Sequence, residues 1–256
     1  MSFSRRKVIQ LGGQAVIWAS CGATLTSLMP EEALAIEWKA LLGIKQRKGK
    51  AKLIELDGTA RIGNEELKVG QMIANGQLIE ADHEARLLLS MPDGSAFQLS
   101  GPAQLKLEID EKGGGVLELL LGGLLGIVLE NRDARYLVQS PTATAGIKGT
   151  VFYRERFGPD SPPDPRIPEG ALEYFCICNG ELEMFDHGAD KLMIKDQAEH
   201  HHAHMITQKG ETLELVEAKF LYGHDDFAIN RAIEAMGQKK HDRSWLKLDE
   251  QEADGY

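Results

Sequence analysis

From Ala51 onward the apolar residues recur at strand spacing, in short runs broken by pairs of turn-forming residues. Residues 52–56 precede Asp57-Gly58, Ile73 and Leu78-Ile79 flank Asn75-Gly76, and residues 85–90 precede Pro92-Asp93-Gly94. Asp-Gly and Asn-Gly between apolar runs are strong hairpin signals, because both residues tolerate the positive φ of a tight turn. Leu105, Leu107 and Ile109 alternate strictly with polar neighbours. A turn about every ten residues predicts an antiparallel sandwich, barrel or roll rather than alternating βαβ units. The apolar stretch 116–129 carries Gly122, Gly123 and Gly126. Those glycines predict two buried strands joined by a tight turn rather than a helix.

Residues 157–170 hold Pro159, Pro162, Pro163, Pro165 and Pro168, none of which can donate to a ladder, so this segment is expected to be an exposed connection. Strand patterning resumes over 172–178, 181–185, 191–194, 200–207 and 213–219. Only after Tyr222 does the period change. Asp225 or Asp226 can cap a helix carrying Phe227, Ile229, Ala232, Ile233 and Met236, stopped by Gly237. The expected class is all-β, with one C-terminal helix. The expected divisions are 1–35, 36–156, the proline-rich loop 157–170, a β segment over 171–222, and the helix with a charged tail over 223–256.

Residues 136–153 are written for one backbone task. A strand around Tyr136 and Val138 is turned by Ser140-Pro141, small residues run from Thr142 to Gly146, and Gly149-Thr150 relaunches a strand at Val151-Phe152-Tyr153. Gly149 is expected at positive φ or in a tight approach. This run resembles the hallmark of FecR-like domains. The resemblance extends upstream through Gly58-Thr59-Ala60, Leu67-Lys68-Val69-Gly70, residues 91–95 and residues 117–126, so it covers about residues 50–155. It implies an antiparallel sandwich- or roll-like module used for binding or sensing, with a β extension after it.

The first 35 residues read as an address. Ser4-Arg5-Arg6-Lys7-Val8-Ile9 is followed by a modestly apolar run too rich in Gly, Ser and Thr for a comfortable span, then by Ala33-Leu34-Ala35. The pattern predicts export to the periplasm, by a twin-arginine route or as an ordinary secretory signal. Ala19-Ser20 before Cys21 adds the option of a lipid anchor. Membrane contact is expected only through an uncleaved signal or such an anchor. FecR proteins in signalling carry a cytoplasmic segment before a membrane helix, and only Met1 to Ser4 precede the arginines here, so a soluble partner or small ligand is the better expectation.

The formal net charge is −10, and removing Arg5, Arg6, Lys7, Glu31 and Glu32 leaves the remainder near −11. Such a surface does not suit nucleic acid. Lys39, Lys45, Arg47, Lys48 and Lys50 form a local basic strip, most simply a solvated face.

Beyond residue 35 the only cysteines are Cys176 and Cys178, in Tyr174-Phe-Cys-Ile-Cys-Asn-Gly180. On a strand both point to one face with Cα atoms roughly 7 Å apart, at the limit for an unstrained disulfide. An oxidising compartment nevertheless keeps the disulfide, or a redox-active pair, as an alternative. Glu199-His200-His201-His202-Ala203-His204 follows about twenty residues later, and His200, His202 and His204 would share one strand face. Two thiolates and two imidazoles make a first shell for zinc, copper or iron.

The C-terminal part is also similar to a subset of FecR-domain proteins. That subset has an aromatic-Cys-x-Cys-x-Gly strand, a His-His pair and a His-x-Asp that opens the last helix. The resemblance implies Cys176, Cys178, His200, His201 and His224 as metal ligands, with His202 or His204 as substitutes. His200 and His201 can serve together only if a bulge or strand end intervenes. His83, His187 and His241 read as exposed polar residues.

No phosphate-cradling loop, nucleophile elbow or His-Glu-x-x-His helix is present in the sequence. The reading is therefore an exported binding or sensing module that holds a metal, not an enzyme. The alternatives are a periplasmic metal-dependent or redox enzyme and an envelope scaffolding domain.

Overall fold

The computed structural model describes residues 47–130, 134–159, 161, 164–187 and 191–237. The expected export signal, Lys39, Lys45, His241 and the charged tail lie outside the described residues. The chain is all-β with one helix near its C-terminal end. Fifteen strands join one rolled sheet, and every pairing among the described residues is antiparallel except one. Among these residues no helix is long and apolar enough to cross a membrane.

The first strands follow the turn signals. β1 (Lys50–Asp57) pairs with β4 (Met72–Ala74) and β6 (Arg86–Ser90). β2 (Ala60–Ile62) lies between β3 (Glu65–Glu66) and β5 (Leu78–Ala81). Two long strands then form the spine, β7 (Ala96–Ile109) against β8 (Gly115–Ile127). Here the expectation of two strands and a turn over 116–129 is corrected. The chain runs straight through as β8, and Gly122, at φ +83°, bends it where the register with β7 shifts. A side chain at Gly122 would strike the Pro102 carbonyl and Ala103, so the glycine serves a close strand approach rather than a hairpin. The start of β8 also takes β9 (Tyr136–Gln139) as a parallel neighbour, which departs from the wholly antiparallel expectation.

β10 (Ala143–Ile147) and β11 (Val151–Arg156) both pair with β12 (Ala171–Asp186), so the sheet continues without a break across the proline-rich connection. β12 reads through Asn179-Gly180 instead of turning there. Its first half lies between β11 and β14 (His202–Lys209), and its second half between β10 and β13 (Leu192–Ala198). Gly180 marks the change of partners, where an added Cβ would come within 2.7 Å of the Gly149 carbonyl. Gly149 itself sits at φ +59°. The relaunching turn and the cysteine strand therefore touch backbone to backbone. β15 (Thr212–Ala218) closes the series beside β14.

Alternation divides the apolar residues between two cores. Leu99, Leu105, Leu117, Val138, Phe152, Phe175 and Ile177 fill the main one, inside the roll. Tyr153, Tyr174, Cys176, Cys178, Ala203 and Met205 face the other way and are covered by α1 (Asp226–Ala235), through Ile229, Ala232 and Ile233. Asp225 caps α1 by accepting from the Ala228 N–H at 2.7 Å.

One charged pair is sealed inside the main core side. Arg154 donates from Nε to Glu173 Oε2 at 2.9 Å, from Nη1 to the Val138 carbonyl at 2.7 Å, and from Nη2 to the Ala143 carbonyl at 2.9 Å. Ser140, at the Ser-Pro turn, donates to Glu173 Oε1 and receives Arg154 Nη2 at 2.7 Å. Arg154 and Glu173 are 1 % and 0 % exposed. Removing Arg154 leaves the buried Glu173 with only the more distant Arg156, 3.9 Å away, so Arg154→Met is expected to cost about 3–5 kcal/mol in denaturant unfolding. Arg154→Met combined with Glu173→Leu should recover most of that loss. A single variant as stable as the parent would contradict this account of the pair.

Candidate metal centre

β12 presents Cys176 and Cys178 on the face covered by α1, both fully buried. Opposite them the chain leaves β13 and enters β14 through His200 and His201. His201 adopts φ +33°, and its N–H donates to the Cys178 carbonyl at 3.3 Å. That left-handed step costs a non-glycine residue on the order of 1 kcal/mol. It interrupts the strand alternation just before β14, which lets His200 and His201 reach the same carboxylate. The fourth group, His224, arrives from the segment ahead of α1.

One ligand atom each from Cys176, Cys178, His201 and His224 lie within 4.8 Å of one another. Zinc bound to sulfur at about 2.3 Å and nitrogen at about 2.05 Å in a tetrahedron separates S from N by about 3.6 Å. Cys176 Sγ lies 3.5 Å from His201 Nδ1.

Both rings are held in the orientation a metal requires. His201 Nε2 lies 2.8 Å from Asp226 Oδ1, which can only accept from it, and this turns Nδ1 toward Cys176 as the nitrogen that would meet a metal. His224 Nδ1 lies 2.9 Å from the Tyr222 carbonyl, which can only accept, so the lone pair is on Nε2. That Nε2 is buried and has no hydrogen-bond partner among the described residues. Tyr153 stacks on the His224 ring, with centroids 4.6 Å apart and planes 14° from parallel, and fixes its orientation.

The thiols are polarised. Interaction with the Cys178 thiol, aided by His201 and His224 and opposed by burial, lowers the Cys176 pKa to about 3. Burial drives Cys178 well above its ordinary value. A bound cation would take both sulfurs as thiolates and displace the proton the pair retains. Burial of His201 opposes its protonation, yet the Cys176 thiolate and Asp226 outweigh it and raise its pKa.

Of the five residues proposed from sequence, the structure gathers Cys176, Cys178, His201 and His224, and leaves His200 outside. His200 Nε2 instead contacts Asp226 Oδ2 at 3.0 Å, from a half-exposed position. The substitutes His202 and His204 lie on the opposite sheet face, beside Asp196. Sequence reasoning missed Asp226 as more than a cap candidate. Its signal was the doubled Asp225-Asp226: one carboxylate caps α1, and the other, 5 % exposed, orients histidines. A cleft of about 270 Å³ opens beside His224, lined in part by Arg86, Gln98, Phe227 and Arg231.

No protein-family profile matches the chain, and no curated protein does. Two crystal structures of a candidate anti-sigma factor from Parabacteroides distasonis, at 1.65 and 2.50 Å, resemble it with 11 % identity and a TM-score of 0.43. They cover 62 % of this chain and 74 % and 73 % of theirs.

Next to the centre, Tyr153 donates a short hydrogen bond to Glu155. Burial raises the Glu155 pKa from 4.5 to about 7, against the opposing effect of that bond. The folded state therefore holds a proton that the unfolded state has released between those values. Its contribution to stability is complete below about pH 4.5 and is lost as pH rises through about 7. The urea midpoint should accordingly fall more between about pH 5 and 8 in the parent than in Glu155→Gln. Equal falls would contradict the assignment.

Proposed function

We propose that the chain is an exported FecR-like binding or sensing module that holds a transition-metal ion through Cys176, Cys178, His201 and His224. The observation that carries the metal assignment is the convergence of two free thiols with two imidazole nitrogens, one of them the buried, unpartnered Nε2 of His224. Outward hydrogen bonds to Asp226 and the Tyr222 carbonyl already orient both rings. Zinc suits the set best, since two thiolates and two imidazoles match its preferred ligands. Copper or iron would also accept it.

The same geometry favours binding over catalysis. Four protein ligands would complete a tetrahedron, whereas a catalytic site keeps one position open for water or substrate. The centre ties β12, the start of β14 and the segment before α1 together, so metal occupancy would set how α1 packs on the sheet. The neighbouring cleft, with Arg86 and Arg231 in its wall, is where a small anionic ligand would meet that element. A module of this kind reports occupancy to a partner by the position of α1. Export to the periplasm is supported by Arg5-Arg6 and Ala33-Leu34-Ala35, and the FecR-like reading by residues 136–153.

Cobalt(II) loading tests the assignment, because thiolate ligands give charge-transfer absorption that nitrogen and oxygen ligands do not. The parent protein should show it, Cys176→Ser and His224→Ala should lose most of it, and the exposed-site control His83→Ala should keep it. Parent protein with no sulfur-to-metal absorption and an oxidised Cys176–Cys178 pair would contradict the proposal.

A further inference from the structure

The histidine run is divided between the two faces of the sheet, and its second half has no role in the thiolate centre. His204 pairs in register with Phe175 and His202 with Ile177, so both project from the face opposite Cys176 and Cys178. There they meet Asp196 of β13. His202 Nδ1 lies 2.7 Å and His204 Nε2 3.7 Å from Asp196 Oδ2.

Three details go beyond an ordinary ion pair. His204 has a side chain only 8 % exposed and lies flat on Phe175, with centroids 5.1 Å apart and planes 12° from parallel. Its Nδ1 is buried with no hydrogen-bond partner among the described residues. Asp196 has its two oxygens in different situations. Oδ1 accepts from the Gln197 N–H at 2.8 Å, which fixes the carboxylate. Oδ2 is buried and, although close to His202 Nδ1, makes no aligned hydrogen bond. A buried imidazole and a buried carboxylate oxygen left in this state each cost on the order of 1–3 kcal/mol. A cation held by Asp196 Oδ2 and by His204 Nε2, the ring nitrogen that faces it, would remove the carboxylate's share of that cost.

We propose that Asp196, His202 and His204 form a second metal site, for a divalent first-row transition ion such as zinc. A shared ion bound at about 2.1 Å places neighbouring ligand atoms about 3.0 to 3.4 Å apart, between octahedral and tetrahedral geometry. The observed separations of 2.7 and 3.7 Å bracket that range. The donors, two imidazoles and a carboxylate, suit zinc, nickel, cobalt or iron(II). Glu217, the register partner of His204 on β15, adds negative charge nearby. Three protein ligands leave a coordination position open, and the His202 side chain, 40 % exposed, marks the solvent side. The site is therefore exchangeable, in contrast to the closed thiolate centre. It stands on different residues from that centre and does not depend on it.

Equilibrium dialysis of the full chain against zinc(II), followed by elemental analysis, tests the proposal. The parent should bind two equivalents. Asp196→Asn, nearly isosteric, and His202→Ala, at a half-exposed position, should each lose one, with affinity for that equivalent falling at least roughly 100-fold. Both variants should keep the thiolate-to-cobalt absorption, which shows that the fold and the first centre survive. Cys176→Ser should lose the other equivalent and retain this one. If Asp196→Asn and His202→Ala bind zinc as the parent does, or if Cys176→Ser binds none, the second site does not exist. Failure of the thiolate assignment alone would instead leave one equivalent that is sensitive to Asp196→Asn and insensitive to Cys176→Ser.

Discussion

The buried Arg154–Glu173 pair is the constraint on which the placement of everything else rests. Arg154 lies on β11, Glu173 on β12, and both reach the Ser140 turn between β9 and β10. A guanidinium with several donors satisfied by one carboxylate, one hydroxyl and two carbonyls has few alternative arrangements. Slipping β12 by one residue would move Glu173 to the other face and bury an unpaired charge. The same slip would carry Cys176 and Cys178 from the helix-covered face into the main core. Register and the position of the Cys/His cluster are thus fixed by one interaction, three residues upstream of the first thiol.

With that register set, β12 and β14 act as a two-sided plate. One face shows Cys176, Cys178, Ala203 and Met205 to α1, and the other shows Phe175, Ile177, His202 and His204. The single left-handed residue His201 divides the histidine run between them. Asp226 holds His200 and His201 on the α1 side, and Asp196 gathers His202 and His204 on the other. A carboxylate anchors each cluster, and each carboxylate comes from a different element than its histidines. The cluster on the α1 side lies where α1 and the cleft beside His224 meet the sheet.

Much of the architecture was legible in the chain, because period-two alternation and Asp-Gly or Asn-Gly turns are local signals. The β-rich class, the helix after Tyr222 and its aspartate cap are all local features. The common face of Cys176 and Cys178 follows from strand geometry alone. What escaped was set by tertiary pairing. Gly122 reads as a hairpin turn until Pro102 and Ala103 are seen packed against it. Asn179-Gly180 reads as a turn until the Gly149 backbone is found beside it. Arg154 and Glu173 look like two solvent-facing strand residues, since nothing local marks a charge that will be buried. The separation of His200 and His201 from His202 and His204 hangs on one backbone dihedral, and alternation predicts a different grouping. The second anchor, Asp196, sits on a neighbouring strand with no spacing rule to connect it.

The central claim is that sulfur and nitrogen from Cys176, Cys178, His201 and His224 surround a single ion. X-ray absorption at the zinc edge of Asp196→Asn protein loaded with one equivalent reads that first shell directly. The account predicts two sulfur scatterers at about 2.3 Å and two nitrogen scatterers at about 2.0–2.1 Å. A shell of nitrogen and oxygen alone, with no sulfur, would contradict it.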